Sequence, residues 1–139
     1  MTMSRVEPAL RWALPFMTLA WAGFLFWVMT STRGGEAIVE GSPGALAPLL
    51  APAAHLGGFG VLAGLALLSS LRTWPRLPVS LAASFAGVAF YGAAIELYQT
   101  TLPARTGAWT DVALNATGAA AALAALSVLR RWRRPRAQR

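Results

Sequence analysis

Four long apolar runs limit the possible folds of this chain more than any other feature of its sequence. They cover about residues 12–30, 53–71, 78–102 and 111–129, and they contain very few charged side chains. An α-helix rises about 1.5 Å per residue, so about 20 apolar residues cross the hydrocarbon core of a bilayer. The sequence therefore predicts an all-α fold, a bundle of four transmembrane helices.

The low content of charged residues supports this assignment. Only 12% of the 139 residues are charged and 56% are hydrophobic, whereas about 25% of the residues in soluble domains are charged. We expect one integral membrane domain over residues 1–139, ending in a basic tail at 130–139. The first run is longer than the apolar part of a signal peptide, so we interpret it as a retained helix.

The arginines predict the orientation in the membrane. All twelve basic residues are Arg, and ten of them lie in the N-terminal segment, the loop at 72–77 and the C-terminal tail. Only Arg33 and Arg105 lie in the other two connections. Because cytoplasmic loops carry the excess of positive charge, both termini are predicted to be cytoplasmic, in the cell (inner) membrane.

The same arginine cluster argues against a nucleic-acid partner. It directly follows an apolar helix, whereas nucleic-acid binders usually present a basic patch on a soluble fold. The expected partners are the lipid bilayer and its anionic headgroups. The oligomeric state is left open.

Six polar side chains share one level near the outer interface. They come from the outer ends of the last three predicted helices and from the loop between the third and fourth. The set is His55, Glu96, Gln99, Arg105, Asp111 and Asn115. Residues three or four apart share a helix face, and a short connection makes the third and fourth helices antiparallel neighbours. We therefore expect the two polar faces to meet in a candidate binding site.

Glu96 is the least expected of the six in a lipid environment. A charge at the bilayer centre costs roughly 2.5–3.5 kcal/mol on insertion scales, so we expect Glu96 to face inward, toward His55 or Arg105. The planar guanidinium of Arg105 is suited to bridge Glu96 and Asp111. Asp111 (or Thr110) is alternatively a helix N-cap, and the whole group is alternatively a structural clasp.

The remaining glycine pattern predicts close helix packing. Gly60 and Gly64 form a small-xxx-small pair, and Gly118 opens a run of small residues on the fourth helix. Small residues let helix backbones approach in lipid. A metal set of His55, Glu96 and Asp111 has no recognised spacing, so neither a metal nor another cofactor is expected.

The order of these residues resembles the VanZ-like family of small bacterial membrane proteins. The matching string is His55-Leu56-Gly57-Gly58-Phe59-Gly60, Tyr91-Gly92-x3-Glu96-x2-Gln99, Arg105, Asp111 and Asn115-x2-Gly118. Many members carry an Asp-Lys pair before the His, where this chain has Ala51-Pro52. The resemblance covers the region from about residue 53 to the end of the fourth helix.

That resemblance implies a ligand class. The namesake of the family is linked to low-level teicoplanin resistance, which implies binding of glycopeptide antibiotics or lipid-linked cell-envelope intermediates at the outer leaflet. A non-enzymatic role is favoured, and no catalytic residue is assigned. One alternative is a membrane-embedded enzyme acting on a lipid phosphate or ester. Another is a structural module that packs against a partner.

Overall fold

The fold consists of four long helices. A computed structural model describes residues 6–31, 47–103, 105 and 107–132 of the chain. The helices are α1 (Val6–Thr30), α2 (Ala47–Thr73), α3 (Leu77–Gln99) and α4 (Trp109–Trp132), and these residues contain no strand. Each helix is long and apolar enough to cross a membrane. The prediction of an all-α, four-helix membrane protein is therefore confirmed.

Most helix ends differ from their predicted positions: α1 and α2 each begin six residues earlier than expected, and two other changes affect the site. α3 ends at Gln99, before residue 102, because the following residues form tight turns, with the Leu102 amide donating to the Gln99 carbonyl at 3.0 Å. Pro103 disfavours a helical conformation at the residue before it. Glu96 is thus three residues from the helix end instead of the six that the predicted end at residue 102 implies, so its depth is about 4.5 Å of helical rise instead of about 9 Å. α4 begins at Trp109, before Asp111.

Helix α2 packs against all three other helices, and its largest contact is with α4. The backbones are close here because a Cβ atom on Gly118 would overlap the main chain of Leu56. A Cβ on Gly60 would lie 3.3 Å from the Gly118 carbonyl oxygen. Dispersion contacts between such closely approaching backbones hold helices together in lipid.

Helix α1 is attached to the bundle partly through hydrogen bonds to its neighbours. The Trp21 indole donates to the Gly58 carbonyl of α2 at 2.9 Å. The Tyr91 hydroxyl of α3 donates to the Ala22 carbonyl of α1 at 2.6 Å. These bonds dock α1 beside α2 and α3, with α1 and α3 running in the same direction.

Large apolar side chains cover the outside of the bundle. Phe90, Leu19 and Phe16 are each more than 70% exposed. Soluble monomers rarely expose large contiguous apolar patches. This surface suits lipid contact, as expected for a multi-pass membrane protein.

We call the end of the bundle formed by the last residues of α1 and α3 and the first residues of α2 and α4 the outer end, after the predicted orientation. That orientation itself stays a prediction. Arg5, Arg33 and most of the basic tail (residues 133–139) lie outside the described residues.

The predicted orientation is testable with single cysteines, because the chain contains none. Thr101→Cys and Thr73→Cys introduce one thiol at an exposed position beyond α3 and at the end of α2, respectively. We expect a membrane-impermeant maleimide to label Thr101→Cys in intact cells and Thr73→Cys only after permeabilisation. The reverse pattern would show that both termini face outward.

The close packing of α2 and α4 predicts that Gly118→Ala destabilises the protein. Because the new methyl group meets the backbone of Leu56, the helices must separate, at a cost of about 1–3 kcal/mol. Gly87→Ala is the matched control, since a Cβ there has no neighbour within 4 Å. Thermal unfolding in detergent should show a lower midpoint for Gly118→Ala than for the wild type, and no lower midpoint for Gly87→Ala. Equal midpoints would contradict the close contact.

Candidate functional site

Helices α2, α3 and α4 bring four polar side chains together at the outer end. His55 Nδ1 lies 2.9 Å from Asn115 Oδ1 and 3.9 Å from Glu96 Oε1. His55 Nε2 lies 3.8 Å from Asp111 Oδ2. We call His55, Glu96, Asp111 and Asn115 the His55 cluster. The imidazole is its centre, with a carboxylate facing each of its two nitrogens.

Helix spacing explains how α4 contributes two members of the cluster. Asp111 and Asn115 are four residues apart, so both point to the same side of α4. Gly92 of α3 leaves the space that Asn115 occupies. A Cβ atom on Gly92 would lie 3.0 Å from Asn115 Nδ2 and 2.9 Å from the Phe59 ring. A larger residue at position 92 is therefore expected to displace the amide.

Glu96 is held by one of its two carboxylate oxygens. The side chain is almost fully buried, with the residue 3% exposed. Oε2 accepts a hydrogen bond of 3.2 Å from the backbone amide of Ala108. Oε1, the oxygen facing His55, has no hydrogen-bond partner among the described residues. The Ala108 amide thus orients the carboxylate, and Oε1 can still accept a hydrogen bond on the side of the cluster.

The start of α4 explains why the Ala108 amide can bind Glu96 and where Asp111 lies. The Ala108 carbonyl accepts from the amides of Asp111 at 3.0 Å and Val112 at 3.3 Å, so Ala108 takes the N-cap position. Its own amide is free to donate outside the helix, as the first amides of a helix must. Asp111 therefore lies in the first turn of α4 and not at the predicted N-cap. A carboxylate in the first turn is also stabilised by the helix dipole.

Two polar atoms of the cluster have no hydrogen-bond partner among the described residues. Distances of 3.8 and 3.9 Å between His55 and the two carboxylates exceed the usual 2.7–3.2 Å of a direct hydrogen bond. Asn115 is 1% exposed, and its Nδ2 atom has no hydrogen-bond partner in the described part of the chain. The cluster thus offers one acceptor, Glu96 Oε1, and one donor, Asn115 Nδ2, that the protein leaves unpaired.

Gln99 and Arg105 lie outside this cluster. Gln99 Nε2 donates to the Met29 carbonyl at 2.7 Å, and Arg105 Nη2 donates to the Ser31 carbonyl at 2.7 Å. Met29 is in the last turn of α1 and Ser31 directly follows the helix, where carbonyls lack helical partners. Within the described residues, no ion pair within 4.0 Å joins Arg105 to Glu96 or Asp111. The expected carboxylate bridge is therefore not formed, since the guanidinium binds α1.

A cavity of about 260 Å³ lies beside the cluster, between the end of α3 and the start of α4. Its walls are mainly apolar and include Leu97, Trp109 and Val112, and Trp109 is 87% exposed. Glu96 lines this cavity and also belongs to the His55 cluster. A ligand with an apolar part can therefore lie in the cavity while contacting the same residue that faces His55.

Some of the residues that shape the site carry no polar side chain, and sequence reasoning did not select them. The Ala108 amide holds Glu96, and Gly107 lies so close to α3 that a Cβ there would overlap the Glu96 carbonyl. A glycine in a short connection is a signal of close backbone approach. It gives no indication, however, of which helix the backbone approaches.

Comparison with known protein families identifies one match to this chain. A family model described as VanZ/LLP1 matches residues 14–130 of the chain. No curated protein and no solved structure matches the chain. The match spans all four helices and the whole His55 cluster, and the resemblance seen in the sequence is confirmed.

Gln99→Met tests the attachment of α1. The substitution keeps the length of the side chain but removes the donor to the buried Met29 carbonyl, and we expect a loss of about 1–3 kcal/mol of stability. Tyr98→Phe is the control, because Tyr98 is 45% exposed and should change stability by less than about 0.5 kcal/mol. Thermal unfolding in detergent measures both. A wild-type midpoint for Gln99→Met would rule out a stabilising role for this bond.

Proposed function

The chain belongs to the VanZ/LLP1 family, and from that premise we propose that it is a cell-envelope membrane protein that binds the polar part of an amphiphile at the outer leaflet. The ligand class is a glycopeptide antibiotic or a lipid-linked cell-envelope intermediate. The protein acts by binding and not by catalysis. Its membrane is the cytoplasmic membrane, with the His55 cluster toward the outside.

The observation that carries this proposal is the pair of unpaired polar atoms in the cluster. Leaving a buried polar atom without a hydrogen bond costs about 1–3 kcal/mol. Glu96 Oε1 needs a donor and Asn115 Nδ2 needs an acceptor. Amide and hydroxyl groups offer both, and they are the groups that peptides and sugars carry. A peptide or sugar headgroup therefore matches the cluster chemically.

The cavity supports the amphiphilic character of the ligand. Its apolar walls suit an acyl, polyprenyl or aromatic part of the molecule. Glu96 lines the cavity and is also a member of the cluster, which supports a ligand that reaches both.

Arg105 supports an additional contact with an anionic group. Its guanidinium carries five N–H donors, and it donates to the Ser31 carbonyl at 2.7 Å. In the described part of the chain it has no carboxylate within 4.0 Å. It is therefore a cation available to a phosphate or carboxylate of the ligand at the outer end.

A structural role is the second candidate, because several polar side chains at this end hold helices together. Gln99 and Arg105 bind the end of α1, and His55 binds Asn115 across α2 and α4. In this case, substitutions in the cluster should lower the amount of folded protein before they change any ligand response. An enzymatic role has less support, since Ser70 and Ser84, two candidate nucleophiles, lie 3.3 Å from each other and toward the opposite end of the bundle from the His55 cluster.

Drug susceptibility tests the binding proposal. We expect cells that express the wild-type chain to tolerate at least fourfold more teicoplanin than cells without it. Glu96→Gln should abolish that difference, because a neutral amide replaces the carboxylate while the side-chain shape is kept. Tyr98→Phe, at equal membrane abundance, should retain it. Protection by Glu96→Gln equal to wild type would contradict the proposal.

Direct binding distinguishes the two ligand sources. Purified protein in detergent is titrated with teicoplanin and, separately, with a lipid-linked cell-wall precursor in vesicles. Saturable binding of one ligand that Glu96→Gln weakens at least tenfold identifies the source. Absence of saturable binding to either ligand would contradict the proposal, and a parallel loss of thermal stability in Glu96→Gln would favour the structural role.

A further inference from the structure

We propose that His55, Glu96 and Asp111 together bind one divalent transition-metal ion, with Zn²⁺ as the experimental probe. The three side chains come from α2, α3 and α4, and one ligand atom of each lies within 4.8 Å of the others. The inference uses the cluster on which the proposed function rests, but it does not depend on the identity of the amphiphile. It also revises the expectation of no metal, which was based on sequence spacing alone.

The distances are close to those of a formed metal site. Bonds from zinc to nitrogen or oxygen ligands are about 2.0–2.2 Å, so two ligand atoms on one ion lie no more than about 4.4 Å apart. His55 Nε2 and Asp111 Oδ2 are 3.8 Å apart. The side chain of Asp111 is 32% exposed, so its carboxylate has room to rotate inward. An inward movement of roughly 1 Å brings the three ligand atoms within bonding range of one ion.

Glu96 provides an independent indication of a ligand. It is 3% exposed, and its Oε1 atom has no hydrogen-bond partner among the described residues although it faces the cluster. The Ala108 amide holds the other oxygen, so the carboxylate cannot turn freely to find another donor. A cation bound within the cluster, where one ligand atom of each of the three residues lies within 4.8 Å of the others, supplies the missing partner.

The orientation of His55 is also suited to metal binding. Histidines that bind metals usually donate their second ring N–H to an oxygen atom, which fixes the tautomer and the ring orientation. Here Nδ1 lies 2.9 Å from Asn115 Oδ1. That hydrogen bond places the proton on Nδ1 and leaves the lone pair of Nε2 directed toward Asp111, where the ion is proposed to lie.

The ligand set favours a first-row transition metal. Mg²⁺ and Ca²⁺ prefer oxygen ligands only, whereas imidazole suits Zn²⁺ and its neighbours. A divalent ion also balances the charges of two carboxylates, which reduces the cost of burying Glu96 within the membrane. Three protein ligands leave at least one coordination position for water or for an oxygen atom of a ligand.

Metal content measures the proposed site directly. The full chain is purified in detergent with a histidine-free tag, stripped with EDTA, reloaded with Zn²⁺ and desalted before mass spectrometry of the metal. We expect about one zinc ion per wild-type chain and less than about 0.2 in Asp111→Asn, Glu96→Gln and His55→Asn. Glu7→Gln is the matched control, because it makes the same substitution in the first turn of α1, which ends at the outer end with Thr30.

Asn115→Ala adds a graded test. If Asn115 orients His55 for the ion, removing its amide should weaken zinc affinity by about 10–100-fold in competition with a chromophoric chelator. If Glu96→Gln does not fold, Asp111→Asn still tests whether these side chains bind the metal. Asp111 is partly exposed, so this substitution is expected to leave the fold intact. Zinc below about 0.2 per wild-type chain, or folded Asp111→Asn that binds zinc as wild type does, would overturn the proposal.

The metal inference and the proposed function can fail separately. Normal zinc binding without saturable binding of either teicoplanin or the lipid-linked precursor would leave the metal site in place and remove the ligand assignment. Saturable binding of either ligand by purified, EDTA-stripped protein that takes up no zinc would leave the ligand assignment and remove the metal.

Discussion

The close approach of α2 and α4 at Gly118 and Leu56 is the contact on which the rest of the site depends. With no Cβ on Gly118, the main chain of Leu56 can lie directly against α4. His55 immediately precedes Leu56, and Asn115 lies one turn before Gly118, so the same contact places the two polar side chains 2.9 Å apart. In lipid, where apolar surface gains little by association, small residues of this kind determine which helices meet.

Much of the architecture was predictable from the sequence, because each part depends on a local pattern. Hydropathy and length predicted four helices, and helical spacing predicted that Asp111 and Asn115 share a face. The antiparallel pairing of α3 and α4 followed from their short connection. These patterns can be read without knowledge of tertiary contacts, and they were sufficient to predict that Glu96 and Asp111 lie at the same level as His55.

The positions of Gln99 and Arg105 were not predictable in the same way. Their partners are backbone carbonyls at the end of α1, about 70 residues earlier in the chain. Every helix ends in such carbonyls, so no side-chain pattern marks these as acceptors. The turn that ends α3 at Gln99 also changed the depth of Glu96, and the Ala108 amide that holds its carboxylate leaves no signal in the sequence.

Hydrogen bonding distinguishes two groups of polar side chains at this end of the bundle. Gln99 donates to the Met29 carbonyl of α1, and Arg105 uses one of its N–H groups on the Ser31 carbonyl that follows α1, so both side chains help to hold the helices together. Glu96 Oε1 and Asn115 Nδ2 are buried without partners in the described chain, although each desolvated atom costs stability. A cluster needed only for packing would be more stable with these atoms paired or replaced by apolar groups. Their unpaired state therefore favours a cluster that is completed by something bound to it, whether an ion at His55, an amphiphile in the cavity beside Glu96, or both in contact.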